Sequence, residues 1–401
     1  MVSPVSLARR AERLVPAAPA PHDLHENISF DSGHAFPGIL PDLSGVAQRA
    51  LSTRAAEMLQ YGPRQGLAEM RQWISDYLNS DHADVPPEEI LVVNGAKHGI
   101  ELVCRLLLDE GDTVVVTAPT YYTALPILRS FGASFIEVGQ DASGIVIESI
   151  EDAIRWLRSN DRPLPKFIYN VPDFHNPTGV TMPRSRREAL LTLAQCHGIY
   201  IVEDSPYRAL RYEGEPQPLL KALDTSGLVI NVGTFSKILA PGLRIGWLAC
   251  RSELLTRMMQ LKTDGGTSPL VQRLLVDYLT KDRLASHTEL ARATYRKHRD
   301  EMLRALAREL PDVTTTVPEG GYYLWLKLPG NASGDKLARR AQDMGVTIYP
   351  GSKFYAAQSA GYPNNAKPEL SHIRLTFSHA SLPDIEEGIR RLAAAWAPMR
   401  A

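Results

Sequence analysis

The stretch from Gly233 to Trp247, GTFSKILAPGLRIGW, sets Lys237 where a strand-like run breaks into small residues, and follows it with a second cation, Arg244. A lysine at such a break is placed to form a Schiff base with a carbonyl. Upstream, the apolar run IYIVEDSPY puts Asp204 and Tyr207 just past the end of a buried strand, and the loop VPDFHNPTG supplies Asn176. One lysine proves little, because most lysines are solvated surface charges. The weight lies in the ordered set: an amine for an imine, an acid for a ring nitrogen, and cations or amides for a phosphate.

Those are the groups that pyridoxal phosphate asks of a protein. The segments YGPRQGLAEMR, VVNGAKHGIELV, APTYYTAL, NVPDFHNPTG, IVEDSPYR, TFSKILAPGLRIGW, PEGGYYLWLKLP, VTIYPGSKFY and IRLTFS follow one another from Tyr61 to Arg374. In that order the chain resembles the class I/II aminotransferase family of fold-type I pyridoxal-phosphate enzymes, near its α-aminoadipate and kynurenine aminotransferase branch. The resemblance implies an α/β fold, with a large domain built on a mainly parallel, seven-stranded-type sheet between helices and a smaller α+β domain. It assigns residues 1–45 to an N-terminal arm and part of the small domain, 46–290 to the large cofactor-binding domain, and 291–401 to the C-terminal small domain.

By the same resemblance, Lys237 carries the cofactor and shuttles the proton between substrate and cofactor, which requires its amine to lie below the ordinary lysine range; Arg244 is one cation available for that. Asp204 pairs with the pyridine nitrogen. Asn176 and Tyr207 donate to the phenolic oxygen, and Tyr121 stacks on the ring, with Tyr122 next to it as the alternative. The phosphate falls to the backbone amides of Ala96 and Lys97 at a helix start, to Ser236 and Arg244, and to Tyr61 reaching from a neighbouring subunit, which implies a homodimer. Arg374 binds the substrate α-carboxylate through its planar fork.

The chain departs from the family pattern in three places. A Gly-Gly-x-Pro segment that covers substrate is replaced by ISFDSGHAFPGILPDL, in which Gly33 survives and His34 is a candidate for specificity. Lys97 and His175 each stand where glutamine is common. Both changes add a group able to carry positive charge beside the cofactor, either favouring an acidic or phosphorylated substrate or tightening phosphate binding.

Positioning these residues requires a scaffold, and the chain between Glu89 and Val202 alternates short β-rich runs with helical patterns, the rhythm of a parallel α/β sheet. Gly95, Tyr121, Asn176 and Asp204 each follow a strand-like run, so four loops converge beyond the carboxyl ends of the strands. After about Leu290 the pattern changes to a long helix, the strand-like PEGGYYLWLKLP, a helix around Asp335 to Met344 and HIRLTF, a second α+β unit. The Pro/Ala segment from Val15 to Pro21 reads as a mobile arm.

With 401 residues the chain has room for two cores. A formal net charge of −1 supplies no general attraction to nucleic acid or an anionic membrane. Cys104, Cys196 and Cys250 sit in apolar contexts, as reduced core thiols do, rather than in a disulfide or metal framework; a soluble, cytoplasmic protein is expected. The expected activity is transfer of an amino group from an amino acid to a 2-oxo acid. The main alternative is another pyridoxal-phosphate reaction on the same scaffold: elimination or replacement, decarboxylation, oxidation or carbon–carbon bond formation. An aminotransferase-like effector of a transcription regulator is a third class, disfavoured by the short stretch ahead of the first folded segment.

Overall fold

The computed structural model describes residues 27–279, 283–356 and 359–399, together with Ala8 and Ala11. The expected mobile arm at 15–21 lies outside them. Continuous β-branched runs such as Thr113–Ala118 and Val229–Thr234 become strands buried on both faces, as a sheet covered by helices on each side requires. They join an eight-stranded sheet in the order Ile90–Val93, Gly246–Ala249, Val229–Thr234, Tyr200–Asp204, Phe167–Asn170, Thr113–Ala118, Ser134–Asp141, Gly144–Ile145. The pairings from Val229–Thr234 through to Ser134–Asp141 are parallel, and Gly246–Ala249 runs antiparallel to both its neighbours. The outermost strand, Gly144–Ile145, is two residues long and antiparallel. It is the addition to the seven-stranded pattern expected.

Alternation along the strands divides the core between the two faces. Val114 and Val116 join one apolar cluster, with the helix Ala96–Leu107, while Val115 points into another built on the helices Ile147–Ser159 and Arg184–His197. The helix Arg184–His197 stops at Gly198, which takes the left-handed conformation at φ 64°. Cys104 and Cys250 are buried, but Cys196 is exposed, because it lies in the last turn of that helix on the side away from the sheet.

The C-terminal region forms a four-stranded antiparallel sheet, ordered Thr314–Thr315, Tyr323–Lys327, His372–Thr376, Tyr349–Pro350. The 27-residue helix Arg283–Glu309 packs on the helix Leu382–Trp396 beside it. The expected boundary between residues 290 and 291 therefore falls inside a continuous helix. The helix foreseen around Asp335 forms at Gly334–Asp343, its N-cap Ser333 accepting from the Lys336 amide at 3.3 Å. From the other end of the chain, Ile28–Ser29 pairs in parallel with Val346–Thr347. Among the described residues, no helix is long and apolar enough to cross a membrane.

Candidate active site

A cavity of about 370 Å³ opens at the carboxyl ends of the parallel strands, where the small sheet faces the large one. Four of the five parallel strands deliver a residue to it. Tyr121 follows Thr113–Ala118, Asn176 follows Phe167–Asn170, Asp204 ends its own strand, and Ser236 and Lys237 follow Val229–Thr234. Arg374 comes from the middle of His372–Thr376 in the small sheet, and Gly33 and His34 come from the N-terminal segment. Loops after successive parallel strands must meet at one end of the sheet, which is why residues more than a hundred positions apart share one cavity.

Asp204 is 1 % exposed. Its Oδ2 accepts from the Tyr169 hydroxyl at 2.6 Å, while Oδ1 is buried with no partner. Burial raises its pKa to about 6, against the opposing pull of the Tyr169 hydrogen bond and the Lys237 charge. Lys237 Nζ donates to the Gly33 carbonyl at 2.7 Å. Its pKa is lowered to about 8, chiefly by burial and then by the cations Arg374, Lys97 and Arg244, with Asp204 opposing. The amine is thus held below the ordinary lysine range by the means the sequence offered.

At the other end of the cavity the helix Ala96–Leu107 points its free amides inward, entered through Gly95 at φ 86°. A Cβ at Gly95 would meet Arg244 Nη2 at 2.6 Å, so only glycine lets this cation close over the turn. Arg244 Nη2 donates to the Asn94 carbonyl at 3.1 Å, and Lys97 and Ser236 complete the rim. Burial, and then the nearby Arg244, lower the Lys97 pKa.

Arg374 is fully buried and caged by aromatic rings. Its guanidinium carbon lies 4.2 Å from the Tyr323 ring centre and 5.0 Å from those of Tyr349 and Phe354, with Tyr122 at 5.6 Å. Nη1 donates to Asn176 Oδ1 at 2.8 Å, Nη2 donates to the Asp31 carbonyl, and Nε is buried without a partner. Tyr122 therefore faces Arg374, whereas Tyr121 lies close enough to Asp204 to feel its charge. The Tyr207 hydroxyl is 3.2 Å from that of Tyr323.

Two candidates stand apart. Tyr61 is 86 % exposed and does not line the cavity of its own chain. His175 is buried behind the Asn176 loop, where the Gln140 amide reaches Nε2 at 3.1 Å and Nδ1 meets Thr178 Oγ1 at 3.0 Å. Burial drives its pKa down to about 3, so it is neutral and adds no charge beside the cofactor, contrary to the expectation from its residue type. His34 sits at the cavity mouth, its ring edge-on to His379 at 5.6 Å. Sequence reasoning gave no part to Tyr169, Tyr323 or Thr234. Tyr323 lies within the quoted segment PEGGYYLWLKLP, and that was the one signal available for it.

Pyridoxal phosphate suits this arrangement. The unpartnered Asp204 Oδ1 is a buried acceptor for a ring N–H, and the equally unpartnered Asn176 Nδ2 is a buried donor for a phenolic oxygen. The helix start closed by Arg244 suits a phosphate. The profile of the family described as Aminotransferase class I and II matches residues 28–392. The aromatic-amino-acid aminotransferase 1 of Thermococcus litoralis is 34% identical over 373 residues, 91% of this chain and 87% of that protein. The kynurenine aminotransferase of Pyrococcus horikoshii, solved in complex with PMP, with KYN as substrate and KYA as product, superposes with a TM-score of 0.89 at 32% identity over 98% of both chains. LysN, the α-aminoadipate aminotransferase of Thermus thermophilus complexed with N-(5'-phosphopyridoxyl)-L-leucine, gives 0.88 at 31% identity over the same shares. With a family profile spanning most of its length and relatives of this identity along nearly all of it, the chain belongs to the class I and II aminotransferases and is a pyridoxal-phosphate-dependent enzyme of that family.

Proposed function

We propose that this aminotransferase moves the amino group of an amino acid to a 2-oxo acid in the cavity between the two sheets. The observation that carries the reading is the meeting of Lys237, Asp204, Asn176 and Arg374 there, three of them with a buried atom left without a partner. Bound pyridoxal phosphate supplies an electron sink for the bonds at the substrate α-carbon. Asp204 Oδ1 would accept the ring N–H and, as the charged partner, keep that nitrogen protonated. Asn176 Nδ2 and the Tyr207 hydroxyl would donate to the phenolic oxygen, and Tyr121 would stack against the cofactor ring. Ala96 and Lys97 amides, Ser236 and Arg244 hold the phosphate.

Arg374 takes the α-carboxylate of the substrate, exchanging its bond to the Asp31 carbonyl for the incoming anion, and Asn176 Oδ1 fixes the plane of the guanidinium. Lys237 would hold the cofactor through Nζ, and in its neutral form the same amine would accept the proton leaving the substrate α-carbon. A pKa near 8 suits that work, since a base close to ambient pH is present in both forms. Gly33 and His34 border the substrate side chain. The names of the relatives favour an aromatic or long dicarboxylic amino acid as donor.

We further propose a homodimer, with Tyr61 reaching the phosphate of the partner subunit. Its exposure supports this, as does that of Leu59, 70 % exposed, two residues before it. We also propose a division into a large domain at 46–290 and a small one at 1–45 with 291–401, supported by the eight-stranded sheet falling within the first range and the four- and two-stranded sheets within the second.

The test is an absorption spectrum of the purified protein with added cofactor, followed by single amino acids with no acceptor. Stoichiometric bleaching of the visible band with release of the matching 2-oxo acid is expected from at least one donor, and Lys237→Ala is expected to keep cofactor binding while losing turnover. A band that never forms, or full turnover by Lys237→Ala, overturns the reading.

A further inference from the structure

Glu137 lies on the strand Ser134–Asp141, outside the cavity, and is 4 % exposed. A carboxylate so buried on a strand flank needs a reason. Its Oε1 accepts the Ala356 amide at 2.7 Å, while its own amide donates to Asn365 Oδ1 at 2.9 Å and its carbonyl accepts from Ala366 at 3.0 Å. One strand residue of the large sheet thus grips the segment that follows Tyr349–Pro350 at two separate points. Two residues before Ala356, Phe354 accepts from the Thr120 amide at 2.8 Å, and its ring centre lies 5.0 Å from the Arg374 guanidinium and 5.4 Å from the Tyr122 ring.

We propose that Glu137 is a positioning residue: through Ala356 it holds Phe354 against Arg374 and against the loop bearing Tyr121, and so sets how tightly the cavity binds a carboxylate. The inference rests on the reading of Arg374 as the carboxylate site. An aromatic wall that drifts from the guanidinium lets water in, and a solvated cation attracts an anion less than a desolvated one does. Main-chain bonds from Thr120 to Phe354 and from Ala360 to Phe135 hold the segment on either side, and the Glu137 carboxyl is the tie at Ala356 between them.

The groups facing Glu137 are Arg129, from the helix Ala124–Ser130, and Tyr355, whose hydroxyl is buried without a partner and which also senses Glu369. Burial raises the Glu137 pKa to about 7, with the Ala356 amide and Arg129 opposing. Because the docked state holds its proton more tightly than the released one, docking is strongest below the ordinary glutamate range and weakens as pH rises from there to about 7, where the loss levels off.

The experiment uses holoenzyme and two carboxylates without an amine, 3-phenylpropionate and adipate, as competitive inhibitors, together with the hydrogen-exchange rate of the Ala356 amide. In Glu137→Ala the exchange is expected to speed up, and the inhibition constant to rise roughly tenfold, the scale of one lost buried hydrogen bond. The KM of an amino donor should rise with it while kcat holds within about twofold. Glu137→Gln, which keeps an acceptor for Ala356, is expected to restore both readouts and to remove the weakening of inhibitor binding expected in the unaltered enzyme as pH rises from the ordinary glutamate range to about 7. Unchanged exchange in Glu137→Ala, or a glutamine variant that rescues nothing, overturns the proposal. Faster exchange with unchanged inhibition overturns the link to Arg374. Failure of both carboxylates to inhibit the unaltered enzyme refutes Arg374 as their site, and the exchange difference tells that failure apart from failure of the tether.

Discussion

Asp204 shows in one side chain how stability is traded for chemistry. Its pKa is raised to about 6, so in the cofactor-free protein it favours the folded state only below the ordinary aspartate range. That contribution is lost as pH climbs to 6, and a shift of this size corresponds to about 3 kcal/mol. Asn at this position keeps an acceptor for the Tyr169 hydroxyl and removes the buried charge. The cofactor-free Asp204→Asn protein is therefore expected to melt several degrees higher at pH 7, with the gain shrinking toward pH 4, as thermal scans at both values will show. The same substitution is expected to lower turnover by at least a hundredfold, because the ring nitrogen loses its anion. A melting temperature that stays put at pH 7 would remove burial as the cause of the shift. This residue was legible in the sequence, since an acid closing the run that begins with the apolar residues 199–202 has few places to lie except the carboxyl edge of a sheet. Tyr169 was not, because its contact with Asp204 depends on two strands being neighbours, and no spacing along the chain states that.

At the scale of elements, the antiparallel strand Gly246–Ala249 does more than extend the sheet. A Cβ at Gly246 would lie 2.7 Å from the Gly233 carbonyl, 2.9 Å from Gly95 C and 3.0 Å from Ala96 N. Backbone surrounds it on all these sides, so no side chain can swing away to make room. Gly246→Ala must push the strand off the start of the helix Ala96–Leu107, where the phosphate is held. The expected cost is about 3 kcal/mol, with a cofactor dissociation constant raised at least tenfold. A denaturant melt and a cofactor titration of the cofactor-free protein check both, and normal affinity in a destabilised variant would separate the strand from the phosphate site. The glycine was visible in GLRIGW, but its reason was not. Arg374 is similar: its motif was legible, while its cage arises from cross-strand register, which sets Tyr349 opposite it, and from Tyr122, Tyr323 and Phe354 brought in from three other segments. His175 shows the opposite failure. Its residue type implied charge, and only its burial among Gln140 and Thr178 makes it neutral.

For the whole molecule, the exposed Tyr61 is the residue that a single chain cannot explain. If it completes the phosphate site of a partner, a Lys237→Ala subunit that keeps its own Tyr61 can serve a Tyr61→Ala partner. Co-expressed hybrids of those two variants are expected to recover about half the activity per cofactor site lost by Tyr61→Ala alone, when compared at equal protein in an assay after gel filtration. A monomeric elution profile, or hybrids no more active than Tyr61→Ala, would count against the shared site. The two-sheet plan itself was readable from the βα rhythm and its change near Leu290. The joint between the two halves was not, because one helix, Arg283–Glu309, runs through the place where composition shifts.

The parallel pairing of Ile28–Ser29 with Val346–Thr347 has a bearing on birth rather than on catalysis. A ribosome makes the first of these strands some three hundred residues before its mate, and Gly33, four residues beyond that strand, waits with it. Lys237, Asp204 and the phosphate turn all leave the exit tunnel long before Arg374 does. The nascent chain can thus assemble the half of the cavity that greets the cofactor while the half that greets the amino acid is still unmade. Cofactor capture during synthesis and substrate capture only after release are the order that this one short ladder imposes.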